Sequence, residues 1–247
     1  MKATTKKIII LGVIMATLMS LLLGCDAVDK KATEPILKQL SEKYNKSFTV
    51  YALGNRIGND TATAYVYADD DPTMLFTVRV SKDGELVYEE YAYRTVCRKA
   101  EDMVIDKFTA NGMDVACYCV FVPGNHNLEP HTDPLTYIEA FSPKGFVVSV
   151  VLKDDGNITA ERLVEVYRQI HTDLNYVFVG TGIYVVSMRD YDLLAPLVRM
   201  ETQSFDAYRL YSKGTMDPIK QAVFQMSGGD PTMTIDEIQA ELDREGY

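Results

Sequence analysis

A short stretch in the middle of the chain brings together side chains that can bind a metal ion. They are His126, Glu129, His131 and Asp133. Imidazoles and carboxylates are ligand types that zinc uses. Pro130 and Pro134, however, exclude the single helical face that an H-E-x-x-H site needs. We favour a solvated polar loop, because loops are polar by default, and keep a metal-binding loop of a surface hydrolase as the alternative.

Three cysteines in the body of the chain raise the question of a disulfide. Cys117 and Cys119 lie two apart on a predicted strand, so both side chains point to one face. Cys97, on the preceding predicted helix, comes near them when the helix packs on the sheet. An oxidising exterior permits a Cys97–Cys117 or a Cys97–Cys119 disulfide, with one thiol left over. The odd thiol favours the alternative of three buried free cysteines.

Tyrosine is the unusual residue, at 16 copies with no Trp. In the predicted strand 61–68, Tyr65 and Tyr67 point away from the face that holds Val66 and the alanines, and Tyr51 belongs to the neighbouring strand. A ring with a polar tip suits stacking on a sugar or contact with a protein. Tyr51, Tyr65 and Tyr67 are therefore a candidate binding face. The alternative is that a helix or a second lobe covers them, because aromatic residues are ordinary in sheets.

Complete catalytic or cofactor-binding motifs are absent from the sequence. Gly180-Thr-Gly182 lacks the third glycine of a dinucleotide-binding turn, and there is no phosphate loop or nucleophile elbow. Acidic residues number 35 against 25 basic ones, for a formal net charge of −10. Such a chain repels phosphate backbones, so we expect no nucleic-acid partner. Because the cofactor-binding motifs are missing, we also expect no cofactor.

The N-terminus has the pattern of an export signal. Lys2, Lys6 and Lys7 precede an uncharged, apolar run over 8–23, and the chain turns polar directly after Cys25. A basic segment followed by an apolar one is typical of signal peptides. Together with Leu22-Leu23-Gly24-Cys25, this pattern resembles the signal and lipobox of bacterial lipoprotein precursors.

The resemblance implies that residues 1–24 are removed and that Cys25 carries a lipid with acyl chains such as palmitate. Residues 25–33 would then form a short linker, and 34–247 a body attached to the cell membrane and facing outside the cytoplasm. The alternative is an ordinary membrane-spanning anchor. The run 8–23 is short for one, since a spanning helix needs about 20 residues.

The body alternates between helical and strand patterns. Thr33-Glu34-Pro35 predicts a helix start, and alternating runs at 47–54, 61–68, 74–80 and 85–91 predict strands. Short turns join these strands, so they should form an antiparallel meander.

The second part of the body predicts a helix over 95–108 and two central, buried strands at 114–122 and 146–152. A helix capped by Thr159, strands at 176–179 and 183–187, and late helices that start at Asp217-Pro218 and Thr234 follow. The expected fold is α+β, an antiparallel meander with helices on one face. Two similar lobes that divide near 123–134 are a further option.

These observations predict a membrane-anchored, extracytoplasmic binding or interaction module rather than an enzyme. Its partner would be a protein or a glycan, neutral or basic in charge because the chain is acidic. The surface hydrolase with a metal site at 126–133 is the alternative.

Overall fold

The computed structural model describes residues 30–54, 61–81, 84–125, 128–129, 132–175, 177–202 and 219–244. Cys25 and the predicted signal peptide lie outside this part of the chain, as do His126, His131 and Asp217-Pro218. The chain forms two compact units, one of residues up to 70 with 77–89, the other of 71–76 with the residues from 90 onward. The described residues between 123 and 134 lie within the second unit.

The first unit is a helix followed by a sheet, whose third strand has its residues 71–76 in the second unit. The elements are α1 (Lys30–Tyr44), β1 (Phe48–Leu53), β2 (Thr61–Ala68), β3 (Asp71–Ser81) and β4 (Leu86–Glu89). In the described residues the strands form a four-stranded antiparallel sheet in the order β1-β2-β3-β4, here called the first sheet, which confirms the predicted meander. Helix α1 begins at Lys30, ahead of the predicted start at Thr33, and contains Pro35. The proline ring fixes φ near its helical value but removes the N–H that would bond to the carbonyl four residues earlier.

The core of the first unit follows the alternation along β2. Ala64, Val66 and Ala68 are buried, while the residues between them stay partly exposed. Ile36 and Leu40 of α1 are fully buried, and α1 packs against β1. Full burial of such a side chain stabilises the fold by about 1.5–3 kcal/mol. The helix therefore covers one face of the sheet, and the other face carries the tyrosines.

The second unit is built on a longer, mixed sheet. Its elements are α2 (Tyr91–Ala110), β5 (Val115–Val122), α3 (Pro134–Phe141), β6 (Gly145–Lys153), α4 (Ala160–Asp173), β7 (Val179–Val186), α5 (Met188–Arg199), β8 (Lys220–Ala222), β9 (Gln225–Ser227), β10 (Asp230–Pro231) and α6 (Ile235–Leu242). Within the described residues the strand order is β10-β9-β7-β6-β5, with β8 also paired to β7. Strands β6 and β7 are parallel and are joined through α4, whereas β5 and β6 are antiparallel.

Three sequence predictions for this unit are wrong. The helix predicted to start at Asp217-Pro218 would include 220–222, which form strand β8. The strands predicted at 176–179 and 183–187 are the single strand β7, because its pairing with β6 continues without interruption through Gly180 and Gly182. Strand β5, predicted to be central, lies at the edge of the sheet. The predicted caps are confirmed: Thr159 caps α4, and Thr234 forms a capping box with Glu237 at the start of α6.

The α+β class is confirmed. In the second unit, α2, α4 and α6 contribute to the main core on one face of the sheet. Helix α5 packs its Leu194 and Val198 on the opposite face, against Val151 and Tyr184. None of the helices within the described ranges is long and apolar enough to cross a bilayer.

Candidate functional site

The outward face of the first sheet brings the predicted tyrosines together. Tyr65 and Tyr67 are half-buried and alternate with the buried side chains of β2. On the neighbouring strand, Thr49 pairs with Tyr67 and Ala52 pairs with Tyr65. Tyr51 is 44% exposed, the most open of the three rings. The three residues lie on two adjacent strands, as the alternation predicted.

A β-bulge places Tyr51. Val50 pairs with Val66, and the next pair is Ala52 with Tyr65, so β1 uses two steps where β2 uses one. Tyr51 is the extra residue. A bulge bends the strand and increases its local twist, which redirects the side chain at that position.

The structure adds two residues that the sequence analysis missed. Arg79 on β3 is exposed, between the buried Val78 and Val80, and it pairs directly with Tyr88 on β4. Its guanidinium carbon lies 5.4 Å from the centre of the Tyr88 ring, a cation–π distance. The alternation in the predicted strands 74–80 and 85–91 was the available signal, because it places Arg79 opposite the buried valines.

These side chains form one surface, which we call the tyrosine face. It consists of Tyr51, Tyr65, Tyr67, Arg79 and Tyr88, with Thr49, Thr61, Thr63 and Thr77 among them. Glu89 at the end of β4 belongs to the opposite side, where its carboxylate accepts hydrogen bonds from Lys43 and Tyr44 of α1. The tyrosine face therefore offers rings, hydroxyls and one guanidinium, which can stack on a ligand and form hydrogen bonds with it.

The predicted metal loop is only partly described. Glu129 and Asp133 are exposed, and Asp133 is the N-cap of α3, where its carboxylate accepts hydrogen bonds from the N–H and the hydroxyl of Thr136. These bonds lower the pKa of Asp133. No cluster of three metal-ligating side chains occurs in the ranges that the structure describes. Asp133 already has a structural role, and the metal loop stays a prediction because both histidines lie outside those ranges.

The three cysteines are free and buried in the second unit. Cys117 and Cys119 point to the same face, with their Sγ atoms 4.0 Å apart. Burial raises the pKa of the Cys97 thiol to about 11, so this thiol stays protonated at neutral pH. A protonated, enclosed thiol is a poor nucleophile, and the cysteines act as packing residues.

A buried group of charges in the second unit has the appearance of a catalytic cluster. Arg94 and Glu101 are 2% and 0% exposed, and their side chains meet at 3.0 Å. Arg98 contacts the second carboxylate oxygen of Glu101 at 2.9 Å. Burial opposes the charge on Arg94, but the Glu101 carboxylate outweighs that effect and the pKa of Arg94 is raised. Perturbed, buried groups of this kind are common at active sites.

The contacts of this cluster show a structural role instead. Glu101 accepts a hydrogen bond from the backbone N–H of Cys119, and Arg94 donates one to the carbonyl of the same residue. Two residues further along β5, the Tyr93 hydroxyl accepts from the N–H of Phe121 and donates to its carbonyl. Side chains of α2 thus pair with the free edge of β5 as a neighbouring strand would. This explains how an edge strand can be as apolar as a central one.

Comparison with known proteins supports the fold alone. No family model matches the chain, and no curated protein matches it. The structure is similar to the crystal structure of a DUF5037 family protein from Ruminococcus gnavus ATCC 29149, with a TM-score of 0.70 and 12% sequence identity. The match covers 86% of this chain and 99% of that one. At this identity the likeness extends to the arrangement of the elements and not to a function.

Proposed function

We propose that this chain is a membrane-anchored, extracytoplasmic binding protein that holds its ligand on the tyrosine face. The observation that carries the proposal is the gathering of Tyr51, Tyr65, Tyr67 and the Arg79–Tyr88 pair on one side of a rigid sheet. Within the described part of the first unit, the helix α1 packs on the other side. Tyrosine rings supply a large contact area at low cost in conformational entropy.

The anchor is the part of the proposal that rests on sequence. A lipid on Cys25 needs the thiol, so Cys25→Ser should move the chain from the membrane to the soluble fraction without changing its melting temperature. Mass spectrometry of the membrane form should find residues 1–24 absent and Cys25 acylated. A chain that keeps residues 1–24 with an unmodified Cys25 would overturn the anchor.

Binding is tested with the full chain in detergent over a panel of immobilised neutral polysaccharides, acidic polysaccharides and unstructured peptides. For the ligand that the wild type binds, Tyr65→Ala/Tyr67→Ala should lower the affinity by about thirtyfold or more. A loss of this size is expected when aromatic anchors are truncated. The matched control is Leu193→Ala/Leu197→Ala, which removes two exposed side chains from α5 in the second unit. Equal binding by both variants, or no binding by the wild type, would refute the tyrosine face as the site.

A further inference from the structure

The tyrosine face differs in charge from the chain that carries it. The chain has a net charge of −10, yet the described outward positions of the four strands carry one carboxylate, that of Asp71 at the start of β3, which forms an ion pair with Arg98 at 3.4 Å. Asp69, in the turn after β2, touches the rim by accepting a hydrogen bond from Thr49. The face itself therefore offers little negative charge to a basic partner, while the acidic chain repels polyanions. The two effects together favour an uncharged ligand.

The kinds of side chain on the face narrow the ligand further. Protein interfaces centre on large apolar anchors that fill pockets. In the four strands as described, Val87 at the bulge of β4 is the one exposed branched aliphatic side chain, at 59% exposure. The rest of the face consists of tyrosine rings and threonine hydroxyls. Sugar rings match this pattern, because they present C–H groups to an aromatic ring and hydroxyls around their rim.

Arg79 adds hydrogen-bond donors to this surface beside the Tyr88 ring. Its guanidinium carbon lies over the Tyr88 ring, 5.4 Å from the ring centre. No carboxylate pairs with Arg79 among the residues that the structure describes. Its N–H groups are donors in a fixed plane, which suits the hydroxyl and ring oxygens of a sugar.

We infer that the tyrosine face binds a neutral polysaccharide in an extended, ribbon-like form. Tyr65 and Tyr67 stack on successive sugar rings, and Arg79 donates hydrogen bonds from the next strand of the sheet. Tyr65 and Tyr67 lie two residues apart on β2, which separates them by about 7 Å along the strand, so the polysaccharide runs along β2 with one sugar ring on each tyrosine. The inference rests on the proposed function and names the class of ligand for the same site.

Two polymers with one backbone provide the test. Hydroxyethyl cellulose is a neutral β-linked glucan, and carboxymethyl cellulose carries carboxylates on the same backbone. We expect the full chain to bind the neutral polymer with an affinity that is unchanged between 0.05 and 0.5 M salt. We expect weaker binding to the charged polymer at low salt and partial recovery at high salt, because salt screens repulsion between like charges.

Variants separate stacking from hydrogen bonding. Tyr65→Ala/Tyr67→Ala should lose about thirtyfold or more in affinity for hydroxyethyl cellulose, whereas Tyr65→Phe/Tyr67→Phe keeps the rings and should lose no more than about threefold. Arg79→Gln should lose about threefold, the size of an exposed cation–π or hydrogen-bonding contact. Circular dichroism of each variant checks that the sheet is retained.

The outcomes distinguish this inference from the proposed function. Binding to the neutral polymer that depends on Tyr65 and Tyr67 supports it. Tighter binding to carboxymethyl cellulose that depends on Arg79 would overturn it in favour of an acidic glycan. Binding confined to peptides, with the same dependence on the tyrosines, would overturn it in favour of a protein partner. In both of these cases the tyrosine face remains the binding site. If the tyrosine variants bind every ligand as tightly as the wild type does, the proposed function is refuted as well.

Discussion

The tyrosine face of the first sheet and the β5 edge of the second sheet use polar groups in opposite ways. At the β5 edge, polar side chains form hydrogen bonds with the backbone of Cys119 and Phe121. They belong to Tyr93, Arg94 and Glu101. On the tyrosine face, the rings of Tyr65 and Tyr67 are partly exposed and the ring of Tyr51 is exposed. Buried charge therefore marks structure in this molecule, and a partly exposed face of tyrosines, threonines and one arginine marks the candidate site.

The largest expected effect is at the buried carboxylate. Glu101→Ala leaves Arg94 and Arg98 buried without their shared partner and frees the N–H of Cys119. Removing one member of a buried ion pair costs about 3–5 kcal/mol of unfolding free energy, which urea denaturation measures. Asp106→Ala is the control, because this carboxylate is exposed on the same helix. A loss below about 1 kcal/mol would contradict the role of Glu101 at the edge.

Tyr93→Phe tests the edge contact without touching a charge. The change removes one hydroxyl that serves both the N–H and the carbonyl of Phe121. Leaving buried backbone groups without partners should lower the unfolding free energy by about 2 kcal/mol. Tyr67→Phe removes a hydroxyl from the tyrosine face and should change the unfolding free energy by less than about 0.5 kcal/mol. Equal losses in the two variants would erase the distinction between the two regions.

The tyrosine face should tolerate truncation better than the edge does. Tyr65→Ala/Tyr67→Ala removes two half-buried rings from β2, and we expect a loss of about 1 kcal/mol of stability with a single cooperative transition. The binding defect described above should therefore exceed the stability defect. A variant that fails to fold would show that the rings are core residues.

The smallest expected effect concerns His171 of α4, which is fully buried. Burial lowers its pKa, so the folded state holds the imidazole neutral while the unfolded chain binds a proton near its ordinary pKa of about 6.5. Stability should then be complete above that pH and decline as the pH falls below it. We expect His171→Gln to flatten the decline in the urea midpoint between pH 7.5 and 5.5. An identical pH dependence in both proteins would exclude His171 as the cause.

Residue alternation predicted the tyrosine face because the two sides of β2 differ sharply, with alanines and Val66 on one side and tyrosines on the other. The same alternation missed Arg79, whose partner Tyr88 comes from a separate strand and is joined to it only by the pairing register. The position of β5 was not predictable from its residues. Its apolar pattern indicates burial on both sides, and helix side chains provide that burial in place of a strand.

The two bulges in the first sheet affect whether copies of the protein can associate through their sheet edges. Tyr51 and Val87 are extra residues in the two outer strands, β1 and β4, so both edges depart from regular pairing. A regular edge can recruit an identical strand from a neighbouring molecule, and a bulged edge resists this. The proposed lipid tether would hold copies of the chain in a thin layer at high local density. Distorted edges would then keep neighbouring copies from joining sheet to sheet, so that each copy presents its own binding face.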